Sequence, residues 1–226
     1  MDQRPRPEKR EEMARYVDIK ICGQTTREDA RAALDAGADF LGFVLYAKSP
    51  RAVTPSALRQ ILDSLPGRPR AVGVFVNERR AHVETIAADC GLYAVQLHGD
   101  ERAEEFADMA VPVWRVVRVI EGAVQPAPAA WLAARYLMDA SVRGKYGGTG
   151  QRADWRESAR FAAKYPTMLA GGLTPENVTE AIQRVKPMGV DVVSGVEASP
   201  GKKDHGKIER FIQAVRRLGS QHEPSG

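Results

Sequence analysis

The sequence predicts a single (β/α)8 barrel, and three observations carry that prediction. Eight short runs rich in Val, Ile, Leu and Phe follow one another from Val17 onward with no linker between them. Several runs are apolar at successive positions rather than alternating, as parallel strands covered on both faces require. The segments between them carry one-sided apolar stripes at helical spacing. An open doubly wound sheet is the competing arrangement, and unbroken succession of the units favours closure. A chain of 226 residues suits one such barrel near the lower end of its size range.

The fold is expected to start near Tyr16. Its strands read VDIKICG, DFLGFVLY, RAVGVFV, AVQLHG, VWRVVRV, RYLMDA, TMLAGG and GVDVVSG. Between the second and third, Thr54 as N-cap and Pro55 as first helical residue precede a stripe of Leu58, Ile61, Leu62 and Leu65. Val83, Ile86, Ala87 and Cys90 repeat the spacing, which reads Cys90 as core. Between the fifth and sixth strands, Pro126 and Pro128 leave only the short segment PAAWLAA for a helix. Val178, Ala181, Ile182 and Val185 form a stripe after Thr174 and Pro175. The last stripe is Ile208, Phe211, Ile212 and Val215, with Asp204 as cap, Arg216 and Arg217 near the negative dipole end, and Gly219 suited to the C-cap. Residues 1–15 are polar, charged and aperiodic, so a disordered extension is expected there. The barrel domain then spans 16–219, and 220–226 form a flexible tail.

Composition narrows the function classes. Hydrophobic residues at 43% and charged residues at 27% are ordinary for a soluble globular protein. No apolar run approaches the roughly 20 residues that span a bilayer, which argues against a membrane partner. The N-terminus MDQRPRPEKREEMARY lacks the apolar stretch of a secretory signal, so a cytoplasmic location is expected. A net charge of +4 could suit nucleic acid, but Lys and Arg are scattered among 29 acidic residues rather than clustered with aromatics. A positive pocket for a small anionic molecule fits the same balance. Cys22 and Cys90 are far apart and lack companions at metal-ligand spacing, so neither a disulfide framework nor a metal site is expected.

In such a barrel the chemistry belongs to the C-terminal ends of the strands. Read in order, these ends present Lys20, Cys22 and Gly23; Tyr46, Lys48, Ser49 and Arg51; Asn77; Gln96 and His98; Arg115; Asp139; Gly171 and Gly172; and Ser194 and Gly195. A glycine-rich loop, GKYGGTG at 144–150, follows the sixth strand. The stretch from Met168 to Asp204 stands out, because two apolar runs each end in small residues and open into a helix. Small residues let a ligand approach backbone N–H groups, and helix N-termini add orphan donors and a positive dipole end. Loops after the seventh and eighth strands of a barrel are a frequent phosphate site.

KICGQTT, GFVLYAKSPR, VGVFVN, VQLHGDE, LMDA, GGTG, LAGGLTPENV and VDVVSGVEASPGKKD occur in that order from about Val17 to Phe211. Together they resemble the phosphoribosylanthranilate isomerase family of tryptophan biosynthesis. The resemblance implies an Amadori rearrangement of N-(5′-phosphoribosyl)anthranilate to 1-(o-carboxyphenylamino)-1-deoxyribulose 5-phosphate, without a cofactor. It implies Cys22 as general base and Asp139 as general acid. It places Arg51 on the anthranilate carboxylate and the phosphate on Gly147, Gly148, Gly171, Gly172, Ser194 and Gly195. Lys20, two residues from Cys22 on one strand face, is expected in the substrate site and as a charge that lowers the thiol pKa. The apolar predecessors of Asp139 suggest a poorly solvated carboxyl, whose pKa would rise. Gln96, His98 and Arg115 receive no assigned role. The expected partner is a small phosphosugar, with the protein a monomer or a homodimer. Two alternatives stand: another phosphosugar isomerase of histidine or tryptophan biosynthesis, which would want Asp or a Lys and Glu set where this chain has KICG, and a non-catalytic barrel that only binds a phosphate ligand.

Overall fold

The computed structural model describes residues 16–120, 123–139 and 155–220. The expectations for the 1–15 extension, for the tail beyond Ser220 and for the 144–150 loop lie outside them. Eight barrel strands are present: β1 Asp18–Cys22, β2 Phe40–Val44, β3 Ala71–Phe75, β4 Ala94–Leu97, β5 Val113–Ile120, β6 Arg135–Met138, β7 Thr167–Leu169 and β8 Gly189–Val192. Each pairs in parallel with its successor, and β8 pairs with β1, where Lys20 lies opposite Asp191. The ring is closed by main-chain hydrogen bonds. A short strand, Ala123–Gln125, pairs antiparallel with the end of β5.

Among the described residues, six α-helices surround the ring: α1 Arg27–Ala36, α2 Pro55–Asp63, α3 Arg80–Asp89, α4 Trp155–Ala162, α5 Val178–Val185 and α6 His205–Ser220. The stripes read from the sequence are the faces that bury; Leu58, Val83, Val178, Ile208 and Phe211 are fully inaccessible. Removing each such side chain from water contributes about 1.5–3 kcal/mol. Thr54 caps α2 by accepting from Ala57 N at 3.1 Å, and Asp204 caps α6 by accepting from Lys207 N at 3.0 Å.

Helix α5 begins at Val178, the first residue of its stripe, after a turn at Pro175–Asn177 in which Thr174 N is satisfied by Asn177 Oδ1 at 2.9 Å. Two local expectations are corrected, the Gly219 cap and the helices between β4 and β6. Gly219 lies inside α6 and does not end it, because one glycine costs a helix only about 1 kcal/mol. The Arg216 guanidinium reaches Val17 O, Gly37 O and Asp39, tying α6 to the entry of β1. The PAAWLAA segment holds only the 3-10 turn Pro128–Ala130, and the β4–β5 interval only the turn Ala103–Glu105.

Strand alternation divides the interior in two. One set of side chains packs outward under the helices, among them Ile19, Ile21, Leu41, Phe43 and Phe75. The other fills the barrel: Phe40, Val72, Ala94, Trp114, Val116, Leu137 and Met168. Arg135 closes the N-terminal end, paired with Asp18 at 2.6 Å and stacked over Phe40 and Trp114. With that end filled, the open space lies at the C-terminal mouth.

Candidate active site

A cavity opens at the mouth, and Cys22, Tyr46, Ser49, Arg51, Gln96, His98, Asp139, Gly171, Gly172, Asp191 and Ser194 line it together with apolar side chains. Cys22, on the last position of β1, is 4% exposed. Its room is made by β2, where Gly42 is its register partner; a Cβ there would stand 2.5 Å from the sulfur. Glycine inside a strand marks such a close approach. Asp139 ends β6 and is also nearly enclosed, at 9% exposure.

Lys20 does not line the cavity. It lies one layer beneath Cys22, fully buried, with its ammonium 2.8 Å from Asp191 Oδ1. The expectation that Lys20 touches substrate is therefore corrected: parity puts it on the Cys22 face, but two residues deeper. Its charge does favour the Cys22 thiolate, through both proximity and a hydrogen bond. Burial is the larger influence, however, and Asp191 opposes ionisation as well, so the Cys22 pKa lies above the ordinary thiol value. The expected net lowering is not found.

Arg51 reaches across the mouth to Glu197, with Nε 2.8 Å from Oε1 and Nη2 2.7 Å from Oε2. This two-toothed contact raises the guanidinium pKa further, the hydrogen bond being its main cause. Lys203 joins the same cluster, 3.3 Å from Glu197 Oε1, 2.6 Å from Cys22 O and 3.2 Å from Val193 O. Glu197 is pushed up by burial, yet Arg51 and Lys203 outweigh that and hold it below the usual carboxylate range.

On the opposite side, Gln96 Nε2 lies 3.2 Å from His98 Nδ1. An amide nitrogen only donates, so Nδ1 accepts and Nε2 carries the hydrogen. Burial, together with the charges of Arg118, Lys20 and Arg115, lowers the His98 pKa to about 3. His98 is thus a neutral donor at neutral pH, and its contact with Asp139 Oδ2 at 3.6 Å is not an ion pair. Among the described residues, His98 Nε2 and Gln96 Oε1 are buried atoms without a hydrogen-bond partner.

The small-residue loops split by role. Gly171 and Gly172 have φ of 87° and 69°, in the left-handed region that favours glycine, and both line the cavity. Ser194 lines it too, whereas a Cβ on Gly195 would overlap Leu173 O, so Gly195 lets the β8 loop pack on the β7 loop. Gly147 and Gly148 lie outside the described residues. Arg115 points outward, away from the cavity, between inward-facing Trp114 and Val116. Its guanidinium binds Glu101 at 2.7 Å and Leu97 O at 2.9 Å and stacks on Trp131. Asn77 N donates to the same Glu101 at 2.7 Å, so both residues brace the β3 and β4 loops. Sequence reasoning missed Asp191, Glu197 and Lys203, although all three stand in the VDVVSGVEASPGKKD motif. Among the described residues, no group of three or more His, Cys, Asp or Glu is placed to hold a metal.

A closed (β/α)8 barrel with a thiol, a carboxylate and an arginine around one mouth cavity is the build of an enzyme for acid and base chemistry on a small anion. Comparison with known proteins makes this specific. The family model described as N-(5′-phosphoribosyl)anthranilate (PRA) isomerase matches residues 19–214. The N-(5′-phosphoribosyl)anthranilate isomerase of Magnetococcus marinus is 47% identical over 201 residues, covering 89% of this chain and 96% of that protein. The crystal structure of phosphoribosyl anthranilate isomerase from Thermotoga maritima matches with a TM-score of 0.80 at 39% identity, over 89% of this chain and all of that one. A further isomerase structure, solved with reduced 1-(o-carboxyphenylamino)-1-deoxyribulose 5-phosphate, matches with a TM-score of 0.77 at 38% identity over 89% of this chain and 100% of that one. The chain belongs to the N-(5′-phosphoribosyl)anthranilate isomerase family.

Proposed function

We propose that this chain converts N-(5′-phosphoribosyl)anthranilate to 1-(o-carboxyphenylamino)-1-deoxyribulose 5-phosphate, with Asp139 as acid and Cys22 as base. The observation that carries this reading is that both residues, from β1 and β6, line one cavity with Arg51 and the β7 and β8 loops. Asp139 gives a proton to the furanose ring oxygen as the C1′–O bond breaks, and the nitrogen lone pair forms the C1′ iminium. Cys22 as thiolate removes the C2′ proton, and the C–H electron pair becomes the C1′–C2′ double bond of an enolamine. Tautomerisation returns a proton to C1′ and leaves the ketone at C2′. The substrate's own iminium is the electron sink, so the chain's residues need only move protons and hold the ligand.

Arg51 suits the anthranilate carboxylate, because Nε and Nη2 serve Glu197 while Nη1 has no protein partner among the described residues. Gly171, Gly172, Ser194 and Gly195 are the phosphate loops, with Gly147 and Gly148 assigned to the same group from the sequence. Lys20 acts beneath the site, countering part of the burial penalty on the Cys22 thiolate. We take the reaction to be cytoplasmic and the chain to act as a monomer, with a homodimer as the alternative.

The test is turnover of phosphoribosylanthranilate generated in situ by the intact protein. Conversion to the ketose is expected. Binding of the reduced product analogue with no turnover would leave a phosphate-ligand barrel and remove the isomerase reading.

A further inference from the structure

Glu197 and Lys203 are buried charges, 7% and 4% exposed, that neither the acid–base pair nor the phosphate loops account for. They stand at the two ends of a small antiparallel hairpin, Glu197–Ser199 and Lys202–Lys203, that follows β8. We propose that they are positioning residues: Glu197 clamps Arg51 in the geometry that meets the substrate carboxylate, and Lys203 ties that clamp to the main chain of Cys22. The inference rests on Arg51 being the carboxylate ligand.

The geometry carries it in three steps. Arg51 sits on the loop after β2 with a long, rotatable side chain, and a lone arginine there would lose considerable rotamer entropy on meeting a ligand. Glu197 removes that freedom in advance through two parallel hydrogen bonds of 2.8 and 2.7 Å. Crowding enforces the same pose, since a Cβ on Gly23 would stand 2.9 Å from Arg51 Cδ. Lys203 Nζ then bridges Glu197, Cys22 O and Val193 O, so one ammonium links the carboxylate anchor, the residue carrying the base and the end of β8. Two cations and one anion leave the cluster with one net positive charge, the complement of one carboxylate. Without Glu197, Arg51 and Lys203 would face each other as like charges, and Arg51 would be driven from its pose.

Two ligands separate positioning from plain structure: the reduced product analogue and its counterpart lacking the ortho carboxylate, both titrated against the full chain by calorimetry. Glu197→Gln is expected to weaken the carboxylate-bearing analogue by about tenfold, the scale of a lost charged hydrogen bond, and the other by less than about twofold. In an Arg51→Ala background the same substitution should add nothing. Equal weakening of both ligands, or unchanged binding of both, would overturn the proposal. Tighter binding of the carboxylate analogue would also overturn it, by making Glu197 a competitor for Arg51. If Glu197→Gln does not fold, Glu197→Asp serves, since it keeps the charge but is one methylene too short to reach Arg51 in the same pose; a selective loss is again required. Should Arg51→Ala itself fail to discriminate the two ligands, the carboxylate reading of Arg51 falls. A selective loss in Arg51→Ala with none in the Glu197 variants removes only the positioning role.

Discussion

On the β1 and β8 side of the mouth, buried charges meet opposite charges: Lys20 with Asp191, and Arg51 and Lys203 with Glu197. Across the cavity, on the β4 and β6 side, Gln96 is buried and His98 is half-buried and neutral, and among the described residues Gln96 Oε1 and His98 Nε2 lack hydrogen-bond partners. A buried polar atom left without a partner costs about 1–3 kcal/mol, so such atoms mark places where a ligand completes the bonding. The contrast teaches how the two halves divide the work. The β1 and β8 side pairs its charges internally, whereas the β4 and β6 side holds a donor and an acceptor that such internal pairing leaves unused.

The strongest way to break the comparison is Lys20→Met. If the base side depends on internal pairing, removing one partner leaves Asp191 buried and uncompensated, and about 3–5 kcal/mol of stability should be lost in a denaturant titration. The rate of Cys22 alkylation should also move to higher pH, because the one neighbour whose ammonium bonds the thiolate is gone. An unchanged alkylation profile would separate Lys20 from the base altogether.

A smaller effect sharpens the other half. His98 has a pKa of about 3 folded and about 6.5 unfolded, so between these values the unfolded chain holds the additional proton. Its contribution to stability is therefore intact above about pH 6.5 and is lost as pH falls toward 3, by up to about 1.4 kcal/mol per pH unit. His98→Gln cannot take that proton, and its stability should fall less steeply than that of the intact protein over the same window. Parallel curves would mean that His98 is accessible to water and not a neutral donor.

The two sides also differ in how far they could be read from the sequence. Cys22, Asp139, Gly171, Gly172 and Ser194 were legible because strand ends define a barrel's mouth, and short apolar runs define strand ends. Parity also says that Arg115 lies on the opposite face from Trp114 and Val116, and so outside the cavity. Depth is harder: Lys20 shares a face with Cys22, and nothing local says that two residues along a tilted strand means a whole layer down. Two pairs on the β1 and β8 side, Lys20–Asp191 and Arg51–Glu197, join residues 171 and 146 positions apart, whereas Lys203 lies six residues from Glu197. No window of sequence contains both partners of the two long-range pairs, so only the closed ring brings them together. The α5 stripe was legible from its spacing, and its helix begins at Val178 because Asn177 Oδ1 accepts from Thr174 N and turns the chain just before it.

The most direct test of the acid and base assignment is single-turnover conversion of phosphoribosylanthranilate by Cys22→Ala and Asp139→Asn, alongside calorimetric binding of the reduced product analogue to each. The account predicts a fall in turnover on the order of 10²–10⁴-fold in both variants, with analogue binding retained within a few-fold. Turnover near that of the intact protein in either variant would contradict it, by taking that residue out of the proton transfers.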